Sequence, residues 1–168
     1  INGKTLINKE EVITNEKPLL LQAVILARAP IIMAVILTPI RYLLELAGVP
    51  ENFIFIIGLL WLTIGISIYW GIRFYRRNHF LVLLLLSLMI YSPISRFPVA
   101  LAWWIDSNWQ LGTHYGLYFD SFGQAVLNQV VYGSLVQIIP GFVAGLLTFV
   151  IMQNKKTLNM RNNVMKNG

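Results

Sequence analysis

Four long stretches of apolar residues dominate the sequence and leave few architectures open to it. They span approximately residues 19–47, 53–72, 80–104 and 122–152. A bilayer core about 30 Å thick requires about 20 apolar residues per helix, and each stretch reaches that length. Because unpaired backbone polar groups are too costly in hydrocarbon, such stretches cross a membrane as helices. The sequence predicts an all-α polytopic membrane protein, a bundle of four transmembrane helices forming one domain over residues 1–168.

The composition agrees with this fold class and excludes several kinds of chemical site. Hydrophobic residues make up 57% of the chain and charged residues 12%, against roughly 45–50% and about 25% in soluble domains. The chain has no cysteine, which excludes disulfides and iron–sulfur clusters. Two histidines leave little material for haem or zinc, and no phosphate-binding glycine loop or HExxH or GxSxG motif occurs. We therefore expect no cofactor and no metal, and a non-catalytic protein more than an enzyme.

The charges predict an orientation. With four crossings, both termini and the loop 73–79 lie on one side, which then receives ten basic residues: Lys4, Lys9, Lys17, Arg73, Arg76, Arg77, Lys155, Lys156, Arg161 and Lys166. The loops of the other side hold Glu51, Asp106 and Asp120. Basic loops stay in the cytoplasm. We expect both termini to be cytoplasmic, with a bacterial inner membrane as the location.

Two arginines, Arg41 and Arg96, lie inside apolar stretches, each shortly after a proline. Proline removes a backbone hydrogen bond and kinks a helix, and both arginines are predicted at similar depth near the outer leaflet. One interpretation is an outward-facing pocket that binds an anion, such as a carboxylate, a lipid phosphate or a quinone headgroup. Intramembrane charge is functional by default. In this interpretation the candidate ligand-binding set is Arg41, Glu45, Arg96, Asp106, His114 and Asp120.

The alternative is that these arginines only anchor their helices. Arg96 follows Phe80 by 16 residues, or about 24 Å at 1.5 Å per residue, and an arginine near the interface can extend its charge into water. Arg41 has Glu45 one turn later as an ion-pair partner. For Arg28 the sequence also allows two placements. It lies either about 13 Å deep in the bilayer or at the boundary, after an interfacial helix over residues 18–27.

The loop 105–121 between the third and fourth stretches carries Asp106, His114 and Asp120 among tryptophans and tyrosines. Histidine and carboxylates are common in acid–base and metal sites, but these spacings match no compact ligand motif. An aromatic loop lying along the outer interface is the simpler interpretation.

The fourth stretch carries a stripe of polar and small residues with a spacing of four: Gln129, Gly133, Gln137, Gly141 and Gly145. Residues with this spacing share one helix face, and a GxxxG pair lets helix backbones approach closely in lipid. The stripe predicts a helix-packing interface, and alternatively a polar path or a subunit interface.

Two functions follow from these features. The first is a small non-catalytic membrane subunit that packs through its fourth helix against a larger membrane complex or a second copy of itself. The alternative is a small transporter or a lipid- or quinone-handling protein with an outward-facing anion site at Arg41 and Arg96. Membrane lipids are expected partners in both. The sparse basic tail gives no support for nucleic-acid binding.

Overall fold

The computed structural model describes residues 18–113 and 119–167. Throughout these two ranges the regular secondary structure is helical and contains no strand. The elements in chain order are α1 (Leu19–Leu46), α2 (Glu51–Ile56), α3 (Leu59–Phe74), α4 (Phe80–Trp109), α5 (Phe122–Val126), a π-helical segment (Leu127–Tyr132) and α6 (Gly133–Asn167).

Four helical segments are long and apolar enough to cross a bilayer: Leu19–Leu46, Asn52–Phe74, Phe80–Trp109 and Phe122–Leu158. They coincide with the four apolar stretches of the sequence, so the prediction of an all-helical protein with four candidate spans is confirmed. Their length and composition indicate a membrane protein. We number them as the first to fourth spans.

Two helices extend past the apolar residues that predicted them. α4 ends at Trp109, where Gln110 and Gly112 take left-handed φ angles of 48° and 75°, and α6 continues to Asn167. Hydropathy marks the part of a helix that fits a membrane, whereas the helix itself continues until a residue breaks it. α1 is continuous across Pro30, so no separate helix covers 18–27, and Arg28 lies on its exposed side.

The spans pack in an order that differs from their order in the chain. α1 packs chiefly against α4, α3 chiefly against α6, and α4 also packs against α6 and the π-helical segment. The buried face of α1 includes four small residues that are at most 2% exposed: Ala23, Ala27, Ala34 and Thr38. Small residues let two helices approach closely where lipid offers no hydrophobic driving force.

Glycines allow the close contact between α3 and α6. A Cβ atom added to Gly71 would lie 2.7 Å from Thr148 Cβ, and one added to Gly141 would lie 2.8 Å from Thr63 Cγ2. At Gly145 an added Cβ would lie 2.5 Å from Leu84 Cδ2. Each distance is shorter than a carbon–carbon contact of about 3.5–4.0 Å allows. The part of the glycine stripe around Gly141 and Gly145 therefore packs within this chain.

The outer surface of the bundle is apolar and its interior is partly polar. On α6, for example, the exposed fractions of Val136, Ile139 and Leu147 are 59%, 62% and 58%. Several fully buried residues of the described interior carry polar groups, and six of them we call the polar core: Thr63, Ser67, Tyr91, Ser92, Ser95 and Gln137. This arrangement suits helices in lipid, where interior polar side chains pair across the bundle.

The two ends of the bundle differ in charge. The basic end holds Arg73 in the last turn of α3, Arg76 and Arg77 in the loop that follows, and Lys155 and Lys156 of α6. A hydrogen bond of 3.3 Å from Gln153 Nε2 to Tyr75 O ties α6 to that loop. The acidic end holds Glu45, Asp106 and Asp120.

Candidate functional site

Arg41 and Arg96 line the same cavity, which we call the arginine cavity. It measures about 120 Å³, and its other lining residues are Gly58, Leu59, Leu60 and Trp61. The two arginines come from α1 and α4, which run side by side from the basic end. Packing of these two helices therefore brings together two cations that lie 55 residues apart in the chain.

A break in the second span supplies the other wall of the arginine cavity. α2 ends at Ile56, Gly58 has an extended backbone (φ −96°, ψ 152°), and α3 starts at Leu59. The N–H of Leu62 bonds to Gly58 O at 3.1 Å. The N–H groups of Leu59, Leu60 and Trp61 precede that bond and belong to the orphan donors of a helix N-terminus. The positive end of the helix dipole therefore lies at the cavity, beside the two arginines.

The fourth span holds Arg96 in place. Arg96 Nη1 donates to Gln129 Oε1 at 3.3 Å, and Gln129 lies in the π-helical segment. A Cβ atom added to Gly133 would lie 3.4 Å from both Cδ and Nε of Arg96. π-helical turns change the direction of side chains within a helix and are frequent at functional sites. The start of the predicted stripe thus contacts Arg96, whereas Gly141 and Gly145 contact α3 and α4.

Arg41 and its neighbours form the other side of the arginine cavity. Arg41 is half-buried, and its Nε atom is buried without a hydrogen-bond partner in the part of the chain that the structure describes. Trp61, another lining residue, has 53% of its surface exposed. Glu45 is half-buried one turn beyond Arg41, and the ion pair between these residues stays a prediction.

The polar core adjoins the arginine cavity along α3 and α4. Thr63 Oγ1 donates a hydrogen bond of 2.6 Å to the backbone oxygen of the cavity residue Leu59, and it lies 3.3 Å from the hydroxyl oxygen of Tyr91. Ser95, next to Arg96 in the chain, lies 3.3 Å from Gln137 Oε1. Thr63 and Ser95 therefore lie within one helix turn of cavity residues on α3 and α4.

The two described loop residues of the candidate set, Asp106 and Asp120, make different kinds of contact. Asp106 is 5% exposed, and its Oδ1 accepts hydrogen bonds from Thr113 N at 3.0 Å and from Thr113 Oγ1 at 2.9 Å. Asp120 is exposed, and its N–H donates to Gln124 Oε1 at 3.1 Å. His114 lies outside the described residues. In the described ranges, no three His, Cys, Asp or Glu side chains converge as metal ligands would.

These contacts assign Asp106 a role in holding the end of α4 to its loop. Replacing Asp106 by alanine leaves the buried N–H and hydroxyl of Thr113 without their acceptor. We expect the free energy of unfolding to fall by about 1–3 kcal/mol, measured by thermal unfolding in detergent. D106N keeps the Oδ1 acceptor and is expected to lose much less. Equal stability of D106A and wild type would contradict this role.

Some site residues could not be found from the sequence pattern. The backbone at Gly58–Trp61 was missed, although a glycine inside an apolar run is a recognised sign of a break or of close backbone approach. Thr63, Tyr91 and Ser95 were missed as well, because isolated hydroxyl residues are common in membrane helices and carry no pattern of their own.

No protein-family model matches the chain, and comparison with curated proteins and with solved structures found no significant match. The interpretation of the site therefore rests on its residues and geometry.

Proposed function

We propose that the protein is an integral membrane protein that binds an anionic group, a phosphate or a carboxylate, in the arginine cavity. The observation that carries this proposal is the shared cavity, lined by Arg41, Arg96 and the first turn of α3. Guanidinium groups bind carboxylate and phosphate through paired charge-assisted hydrogen bonds. A helix N-terminus adds backbone donors and a favourable dipole for the same anion.

The charge at the two ends supports a direction for the protein in its membrane. We propose that the basic end, with the exposed Arg73, Arg76, Lys155 and Lys156, faces the cytoplasm, by the positive-inside rule. Both termini would then be cytoplasmic, in a bacterial inner membrane. With Arg96 about 24 Å along α4 from Phe80, the arginine cavity lies in the outer half of the bilayer.

The lining suits two sources of the same anionic chemistry. Leu60 and the half-exposed Trp61 offer apolar contact to the tail of an amphiphile, such as a lipid or a quinone, whose headgroup meets the arginines. A soluble anion can use the same guanidinium groups without the apolar contacts. Broken helices with a binding site at their ends are typical of transporters. The proposal is therefore a small transporter or a lipid- or quinone-handling protein, and it assigns binding without a chemical step.

The role of a non-catalytic subunit remains a separate proposal. Gly141 and Gly145 pack inside this chain, so they leave the exposed apolar face of α6, with Val136 and Ile139, for a partner helix or a second copy. Native mass spectrometry of the purified protein would report bound copies, other subunits and lipids together. A monomer that retains no protein partner would contradict this role and leave the anion site unaffected.

Binding of phosphate tests the anion site directly. The protein is placed in phosphatidylcholine nanodiscs and titrated with inorganic phosphate or with a short-chain phosphatidic acid, following thermal stability. A ligand at 100 times its Kd stabilises the folded state by about 2.7 kcal/mol. We expect R41Q and R96Q each to weaken binding at least tenfold, since a hydrogen bond to a charged group contributes about 1.5–3 kcal/mol.

The control and the outcomes separate the sources of the anion. R73Q removes an exposed arginine at the basic end and is expected to bind as wild type does. Stabilisation by phosphatidic acid alone indicates an amphiphile, and stabilisation by both indicates a soluble anion. No stabilisation by either, or an equal loss in R73Q, would overturn the proposed site.

A further inference from the structure

The side of the bundle at the arginine cavity is apolar and exposed. Trp61, which lines the cavity, has 53% of its surface exposed. Three further apolar residues, each next to a lining residue in the chain, have exposed fractions of 42–46%: Ile40, Ile57 and Phe97. In a bilayer, exposed apolar side chains of spanning helices contact acyl chains, since no water is present there. The exposed side of the cavity therefore faces lipid.

Toward the acidic end, the next residues on the cavity walls are buried. On α4, Ala100 and Trp103 follow Arg96 by four and seven residues, so they share its helix face, and they are 0% and 7% exposed. The Trp103 ring stacks on Phe122 of α5 with centroids 6.5 Å apart. On α2, the helix before the break in the second span, Ile54 is 1% exposed. Within the described ranges, packed side chains thus separate the cavity from the acidic end, whereas its side is exposed.

The size of the cavity suits a headgroup better than a whole ligand. Its volume is about 120 Å³, whereas pockets that enclose a drug-sized molecule have about 300–1,000 Å³. A lipid needs to place only its headgroup inside, because its acyl chains can stay in the bilayer beside Trp61. The guanidinium groups of Arg41 and Arg96 and the N-terminus of α3 favour a headgroup that is anionic.

We propose that the ligand of the arginine cavity is a membrane lipid with an anionic headgroup, which enters sideways from the bilayer. The inference rests on the proposed anion site and names its ligand class. A soluble anion is not the ligand, because the buried residues toward the acidic end block its entry from water. An anionic headgroup also offsets the cost of holding two cations inside the bilayer, where charged side chains are normally paired.

Glycerol 3-phosphate and short-chain phosphatidic acid separate the two routes, because both carry a phosphate on glycerol and only the second has acyl chains. Each is added to the protein in phosphatidylcholine nanodiscs while thermal unfolding is followed. We expect phosphatidic acid to raise the melting temperature of the wild type and not that of R41Q/R96Q. We expect glycerol 3-phosphate at the same concentration to leave the wild type unchanged.

The other outcomes distinguish failure of this inference from failure of the proposed function. Equal stabilisation by glycerol 3-phosphate, lost in R41Q/R96Q, would overturn the lipid ligand and leave the anion site in place. No stabilisation by either compound, or equal stabilisation of R41Q/R96Q by phosphatidic acid, would overturn both.

The surroundings of the cavity can be measured without any ligand. The sequence has no cysteine, so a single nitroxide label can be attached at W61C. L147C places a reference label on the exposed apolar face of α6, and S107C places one on an exposed residue at the acidic end. Collisions of each label with oxygen, which concentrates in hydrocarbon, are compared with collisions with a water-soluble nickel chelate.

We expect the label at W61C to behave as the one at L147C does. Its ratio of oxygen to nickel collisions should exceed that of S107C at least about fivefold, because water is excluded from the bilayer core. A ratio equal to that of S107C would show that the cavity opens to water and would overturn the inference.

Discussion

The double variant R41Q/R96Q is expected to bind phosphate or phosphatidic acid at least a hundredfold more weakly than the wild-type protein. Each guanidinium contributes charge-assisted hydrogen bonds of about 1.5–3 kcal/mol, and 1.4 kcal/mol corresponds to a tenfold change in Kd. The first turn of α3 remains in the double variant. Its backbone donors alone provide a weak site, so residual binding at high ligand concentration is compatible with the proposal.

The stability of the ligand-free double variant distinguishes a binding site from an anchor. Two cations that share a partly buried cavity repel one another more strongly than they would in water. Removing both charges relieves that repulsion, at the loss of the hydrogen bond from Arg96 to Gln129. We therefore expect the free energy of unfolding without ligand to stay within about 1 kcal/mol of the wild-type value. Binding sites commonly sacrifice stability in this way.

The measurement compares unfolding with and without ligand for the wild type, the double variant and R73Q. The expected result is a loss of ligand-dependent stabilisation in the double variant alone. If the two arginines serve only as anchors at the interface, the double variant unfolds more readily in the absence of ligand, and the wild type shows no ligand effect. That result would remove the basis of the proposed function.

Among glycine-to-alanine substitutions, G71A is expected to lower the free energy of unfolding most. The added Cβ would lie 2.7 Å from Thr148 Cβ and 3.2 Å from the backbone oxygen of Gly145. Neither atom is the end of a flexible side chain, so α3 and α6 must move apart. Overpacking of this kind costs about 1–3 kcal/mol. The separation also disturbs Ser67 and Gln137, which lie on the same pair of helices.

Two glycines provide matched controls for Gly71. An added Cβ at Gly65 meets no atom within 4 Å, and one at Gly133 meets Arg96 at an ordinary contact distance of 3.4 Å. We expect G65A and G133A to change the free energy of unfolding by less than about 1 kcal/mol, which is the usual scale of helix propensity. Denaturation in detergent by increasing sodium dodecyl sulfate provides the comparison. Equal losses in G71A and G65A would contradict the close packing of α3 on α6.

Some of the site followed from the sequence because it depends on single residues in their local setting. An arginine in an apolar stretch is conspicuous on its own, and Arg41 and Arg96 were paired from their similar predicted depth. Predicting the cavity required more than the depth of the two arginines. It requires that α1 and α4 pack with both arginines turned toward the broken second span, and this depends on small residues such as Ala27 and Ala34 meeting a partner far away in the chain. For the same reason, the sequence pattern placed Gln129 in the polar stripe of the fourth span but could not show that it contacts Arg96.

The sequence by itself determined the four helical spans and the separation of basic from acidic residues between their connecting segments. Hydropathy and charge along the chain suffice for this, because the cost of placing a polar group in hydrocarbon is local to each residue. Tertiary structure alone decided the pairing of the helices, the position of the start of α3 beside two arginines, and the burial of a polar core beneath them. These depend on which faces meet, and close packing between distant segments settles that question only once the whole bundle has formed.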